Sequence, residues 1–193
     1  MIMHRTFLAL MSTLWLLGCG TSAKTHYYTL NTPPPPAAQS SATGPIIVIG
    51  PVTLPDLVDR PQLVLRTSDN QVSISDTHRW AQSLKRAVAQ AVAENLAREI
   101  NPSRVQLLGQ SLSDEADLRI AIDILRFEST LGVQTTIEAK WTVRAKNASK
   151  PFSAQRKVHE TVTGNTHADL IAAHSRAITQ LSHAIALTLQ VNK

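Results

Sequence analysis

Residues 117–162 alternate between apolar and polar side chains with a period of two, a pattern that only strands satisfy. Leu118, Ile120, Ile122 and Ile124 alternate with Asp117, Arg119, Ala121 and Asp123. Thr135, Ile137, Ala139, Trp141 and Val143 alternate with Thr136, Glu138, Lys140, Thr142 and Arg144. Phe152 to Val162 follows the turn residues Asn147-Ala148-Ser149-Lys150. Successive strand residues point to opposite faces, so the three segments predict an antiparallel meander with one buried face and one polar face.

Such a sheet needs a cover over its apolar face. Two segments with helical periodicity supply it. From about Arg79 to Glu99, Leu84, Val88, Val92, Leu96 and Ile100 recur every four positions, with Ala81, Ala87 and Ala91 beside them. Asp76 or Thr77 is the expected cap, and Asn101-Pro102 the stop. From about His167 to Gln190, Leu170, Ile171, His174, Ile178, Leu181, Ile185 and Leu189 form a second stripe. Thr166 and Asp169 resemble a capping box at its start. A single apolar stripe predicts packing on the sheet, not passage through a membrane.

The remaining segments are shorter. Tyr27-Tyr28-Thr29-Leu30 has strand composition, and Ile46-Ile47-Val48-Ile49 reads as a buried strand closed by Gly50-Pro51. Leu63–Thr67 and Gln71–Ser75 flank Ser68-Asp69-Asn70 as a hairpin, and Arg104–Leu108 is a further strand candidate. Residues 32–45, rich in Pro, Ala and Ser, form a loop, because proline removes the backbone donor that a helix or central strand needs. The expected fold class is α/β, mixed and α+β-like. It comprises a single mixed sheet of about five to six strands with two long amphipathic helices.

The N-terminus carries the sharpest chemical signal. His4 and Arg5 precede an apolar run from Phe7 to Leu17, broken only by Ser12 and Thr13 and ending at Leu16-Leu17-Gly18-Cys19. A run of about a dozen residues is too short to span a bilayer, which takes about 20. The three parts describe an export signal over residues 1–18. Leu-Leu-Gly-Cys resembles the bacterial lipobox, which implies lipid attachment at Cys19, with palmitate among the acyl groups. Cys19 is the single cysteine, so no intramolecular disulfide forms. Gly20 follows it. Asp at that position would favour inner-membrane retention in the enteric-type sorting rule, so Gly20 points to the outer membrane. Residues 19–24 are then a lipidated tether, and 25–193 a single folded domain.

Composition and motifs exclude more than they assign. The chain is 43% hydrophobic and 17% charged, with a formal charge of +5, which suits a globular domain. Its basic residues are scattered rather than massed, so no nucleic-acid surface is expected. Gly109-Gln110-Ser111-Leu112-Ser113 lacks the second glycine of a nucleophile elbow. The seven glycines are too dispersed for a phosphate loop. No catalytic residue, cofactor or metal site is expected. His167, His174 and His183 sit seven and nine residues apart, too far for one ion on a helix, and read as surface or boundary residues. Trp80 reads as a plug at the edge of the core beside a helix start. Leu54 to Pro61, bracketed by Pro55 and Pro61, reads first as a connection and second as a rigid partner-contact loop. Pro55, Asp56, Asp59, Arg60 and Pro61 are its candidate contact residues.

Tyr27–Leu30, Ile49-Gly50-Pro51-Val52, Leu54-Pro55-Asp56-Leu57-Val58-Asp59-Arg60-Pro61-Gln62-Leu63-Val64, His78-Arg79-Trp80-Ala81 and Glu94-Asn95-Leu96-Ala97 occur in this order. Together they resemble the PqiC-like family, the auxiliary lipoproteins of ABC-type and MCE-protein transport systems, over roughly residues 25–165. Leu57-Val58 departs from the Tyr-Leu often found there. The resemblance implies a compact mixed α/β fold and an outer-membrane lipoprotein on the periplasmic face. Its implied partners are an MCE-domain protein and that protein's inner-membrane transporter, in a lipid transport system that maintains membrane integrity. The role would be docking, without chemistry, and a homo-oligomer would suit a conduit. The alternative is a lipoprotein that itself holds a lipid or envelope polymer, which requires an apolar cavity between helix and sheet.

Overall fold

The computed structural model describes residues 23–32, 44–100, 104–110 and 113–191. The expected signal peptide, Cys19 and residues 33–43 of the Pro-rich stretch lie outside the described residues. In chain order the elements are β1 (His26–Tyr28), β2 (Ile47–Thr53), β3 (Gln62–Ser68), β4 (Gln71–Trp80), α1 (Leu84–Glu99) and β5 (Val105–Leu107). A 3-10 turn (Ser113–Glu115), β6 (Leu118–Thr130), β7 (Gln134–Ala145), β8 (Phe152–Thr161) and α2 (His167–Val191) complete them.

The alternating run folds as its period demands. β6 pairs antiparallel with β7 and β7 with β8, in a sheet ordered β5-β2-β6-β7-β8. Ile120, Ile122 and Ile124 of β6 and Ile137, Ala139 and Trp141 of β7 are buried, while Lys140 and Arg144 are exposed. β2 lies parallel to both β5 and β6, which makes the sheet mixed. α1 packs over β2 and β5, α2 over β7 and β8, and the helices pack on each other. Trp141 is buried under α2, and its indole N–H donates to Thr188 Oγ1 at 3.2 Å. Thr166 caps α2 as expected: Asp169 N donates to Thr166 Oγ1 at 3.1 Å, and Thr166 N to Asp169 Oδ2 at 3.0 Å. The Thr166 hydroxyl also donates to Asp169 Oδ2 at 2.7 Å, and this bond, then the one from Thr166 N, holds the Asp169 carboxyl below the usual carboxylate range.

Four expectations need correction. The strands form two sheets, not one. β1, β4 and β3 make a separate three-stranded sheet, with β1 parallel and β3 antiparallel to β4. Secondly, α1 begins at Leu84 rather than near Arg79, and Ser83 caps it without a side-chain hydrogen bond. Asp76, Thr77, Arg79 and Trp80 lie in β4 instead. Helical spacing cannot report that Trp80 N donates to Pro61 O at 2.7 Å, or that Ala81 N donates to Tyr28 O at 2.9 Å. Those long-range bonds hold the segment extended. Thirdly, Gly50-Pro51 does not end β2. Gly50 adopts φ +120°, which glycine tolerates, and the pairing with β6 resumes at Val52 with a shifted register.

The fourth correction concerns His174, which is fully buried rather than at a surface or boundary. Its ring stacks on Phe127 with centroids 4.2 Å apart. It lies 2.7 Å from both Ser129 Oγ and Thr135 Oγ1. These two hydroxyls on the neighbouring β6 and β7 allow an imidazole where the stripe otherwise carries leucine and isoleucine. Burial pushes the His174 pKa down to about 3.

A histidine-stacked end and an apolar groove

The domain has two unlike ends. α2 has 25 residues, so at 1.5 Å per residue its ends are about 37 Å apart. The chain enters at β1, beside the first residue of α2. There His78 of β4 lies between His26 and His167: the ring centroids are 5.2 Å apart for His26–His78 and 3.6 Å for His78–His167. The Tyr28 hydroxyl shares a 2.7 Å hydrogen bond with His78 Nδ1. Partial burial, then the charge of His26, lowers the His78 pKa. Partial burial, then His78 and His26, lowers that of His167. Both shifts favour uncharged rings at neutral pH. This stack fastens the entering strand to both β4 and α2. Spacing along one helix compares His167 only with its neighbours on that helix, and so cannot report His26 and His78.

The loop with the candidate contact residues lies between β2 and β3, beside the start of α1. A turn closes it, with Val58 N and Asp59 N both donating to Pro55 O, at 3.0 and 3.2 Å. Val58 points into the core, and Asp59 pairs with Lys85 of α1 at 2.6 Å. Arg60 Nε is buried without a hydrogen-bond partner. Pro55 and Arg60 are partly buried, whereas Asp56, Leu57 and Pro61 are exposed. The structure thus joins the loop to the core through Val58 and to α1 through Asp59, and leaves Asp56, Leu57 and Pro61 facing outward. The Asp59–Lys85 pair is itself largely solvated. Lys85→Ala is expected to lower stability by no more than about 1 kcal/mol, measured by urea denaturation. A loss several times larger would mean that the ion pair, rather than Val58, holds the loop.

At the opposite end the terminal turns of α1 and α2 stand apart over the ends of the five-stranded sheet. They leave a groove of about 700 Å³. Its apolar lining includes Ile47, Ile100, Leu118, Val143, Phe152 and Leu189. Ile100 and Phe152 are large hydrophobic side chains left exposed there. Lys146 and Lys150 flank it on the β7–β8 turn. Among the described residues, no group of three or more His, Cys, Asp or Glu side chains is placed to hold a metal ion.

A family model described as the ABC-type transport auxiliary lipoprotein component matches residues 28–186, from the end of β1 into the last turns of α2. The chain belongs to this family. The PqiC-like resemblance is therefore borne out, and the family is one of transport auxiliary lipoproteins rather than an enzyme family. Two solved structures have the same fold. One is a protein described only as uncharacterized, with 17% identity, TM-score 0.70, and coverage of 86% of this chain and 99% of that one. The other is protein XCC0632 from Xanthomonas campestris, with 17% identity, TM-score 0.67, and coverage of 86% and 96%. At that identity they speak for the fold alone. No curated protein matches the chain. Among the described residues no helix is long and apolar enough to cross a membrane.

Proposed function

We propose that this protein is an outer-membrane lipoprotein, anchored through Cys19 on the periplasmic face. There it is the non-catalytic docking subunit of an MCE-protein system that moves lipids between membranes and maintains envelope integrity. The observation that carries the reading is the family match across nearly the whole folded region. The short tether supports it. Six residues, 20–25, separate Cys19 from β1, so at about 3.3 Å per extended residue the domain stays within roughly 20 to 25 Å of its anchor. The His26–His78–His167 end then faces the outer membrane, and the groove end faces the periplasm, from which a partner rooted in the inner membrane would arrive. Residues 1–18 serve as the signal peptide, 19–24 as the tether and 25–193 as one domain. The exposed Asp56, Leu57 and Pro61 are a secondary candidate contact for the partner or for a neighbouring copy.

Crosslinking the full-length protein in growing cells, followed by mass spectrometry, tests this. An MCE-domain protein is expected as the dominant partner. Deletion of the gene is expected to sensitise cells to detergent. A strain without the protein that survives detergent like its parent, together with no MCE peptides among the crosslinks, would sink the proposal.

A further inference from the structure

The groove between the ends of α1 and α2 has features of a binding site of its own. Its floor is apolar and includes Ile47, and Ile100 and Phe152 hold hydrophobic surface at its edge. Three of its polar side chains are already engaged. Asp117 Oδ2 accepts from Ile46 N at 2.8 Å, Glu99 pairs with His183 at 3.1 Å, and Thr188 Oγ1 donates to Ile185 O at 2.7 Å. A peptide laid along the apolar floor would leave backbone donors and acceptors unpaired there, at a cost of the order of 1–3 kcal/mol each. A hydrocarbon chain has none to satisfy. Among the described residues neither Lys146 nor Lys150 pairs with a carboxylate, so two cationic heads stand at the rim where an amphiphile's head would emerge. The volume is within the range of small-molecule sites, roughly 300–1,000 Å³.

We propose that the groove takes one acyl chain of an anionic glycerophospholipid, with Lys146 and Lys150 meeting the phosphate. This deepens the lipid-transport reading and rests on it for the source of the ligand. The position fits a transfer step. A chain held about 37 Å from the tethered end, at the periplasmic pole, is presented towards the incoming conduit and away from the outer membrane.

The test uses full-length lipoprotein in mild detergent with lysophosphatidylglycerol carrying a diazirine in its acyl chain. Parallel arms use the matching lysophosphatidylcholine and the matching free fatty acid. After irradiation, labelled peptides are expected to cover Ile100, Val143–Ala148, Phe152 and Leu189. Ala145→Trp, which fills the groove from its wall, should cut labelling at least tenfold while keeping the parent melting temperature. Lys146→Glu with Lys150→Glu should cut lysophosphatidylglycerol labelling several-fold and leave lysophosphatidylcholine unaffected. This pair also serves where Ala145→Trp fails to fold. Equal labelling by both lysolipids, label spread over other surfaces, or crosslinks joining groove peptides of two copies would overturn the proposal. Fatty-acid labelling stronger than that of lysophosphatidylglycerol would also overturn it. Capture of the MCE protein in cells separates the two ideas. Capture retained without groove labelling removes the ligand and leaves the docking role; groove labelling without capture does the reverse.

Discussion

Cys19→Ala is expected to abolish incorporation of palmitate, to leave an uncleaved precursor and to remove the protein from the outer-membrane fraction. The physical reason is large. At about 0.8 kcal/mol per buried methylene a single acyl chain holds a protein only marginally and reversibly, and two or more chains make detachment negligible. Among the described residues no helix is long and apolar enough to span in its place. Metabolic labelling with an alkyne palmitate, with fractionation, reads the outcome. Replacing residues 1–19 by the signal of a soluble exported protein gives the complementary result, a domain free in the periplasm. Palmitate retained on the Cys19→Ala protein would show that the anchor lies elsewhere.

His174 gives the second large effect. Its ring is buried and neutral, with Ser129, Thr135, Phe127 and, more distantly, Trp80 around it, none of them charged. Its pKa is about 3 folded, against 6.5 for an unperturbed histidine. Below pH 6.5 the unfolded chain takes up a proton that the folded chain refuses, so stability is full above that pH and drains as the pH falls towards 3. At about 1.4 kcal/mol per pH unit this one group removes about 2 kcal/mol between pH 6.5 and 5, and about 4 kcal/mol by pH 3. His174→Gln keeps a polar side chain but cannot titrate. It is expected to cost about 1–3 kcal/mol at pH 7.5, because the Ser129 bond is disturbed and the stacking on Phe127 lost. It is also expected to flatten the acid limb by the stated amount. Urea denaturation of both proteins from pH 7.5 to 5 measures this; a variant with the parent's slope would show that His174 is not the titrating group.

His174 also shows where reading a sequence reaches its limit. Its place in the stripe of Leu170, Ile171, Ile178 and Leu181 was plain from spacing, which fixes the face. That two hydroxyls would be waiting for it was not, because Ser129 and Thr135 are 45 and 39 residues away. The start of α1 departs from the helical spacing for a similar reason. Arg79 and Trp80 continue an alanine-rich helical pattern, yet the backbone of Tyr28 and Pro61 claims the segment as a strand. Local propensity loses to two long-range hydrogen bonds when both lie at the edge of the core.

The sequence by itself determined the lipidation signal as an expectation, the meander, the faces of both helices, the capping box at Thr166 and the family. Each is written in neighbouring residues, as a period of 2 or 3.6 or as a short run with a fixed order. The tertiary structure alone decided that β1, β3 and β4 leave the main sheet. It also brought His26, His78 and His167 into one stack, and opened a groove where the ends of two helices and several strands fail to meet. Those features depend on which distant segments are brought within a few ångströms of each other, and no local pattern encodes that distance.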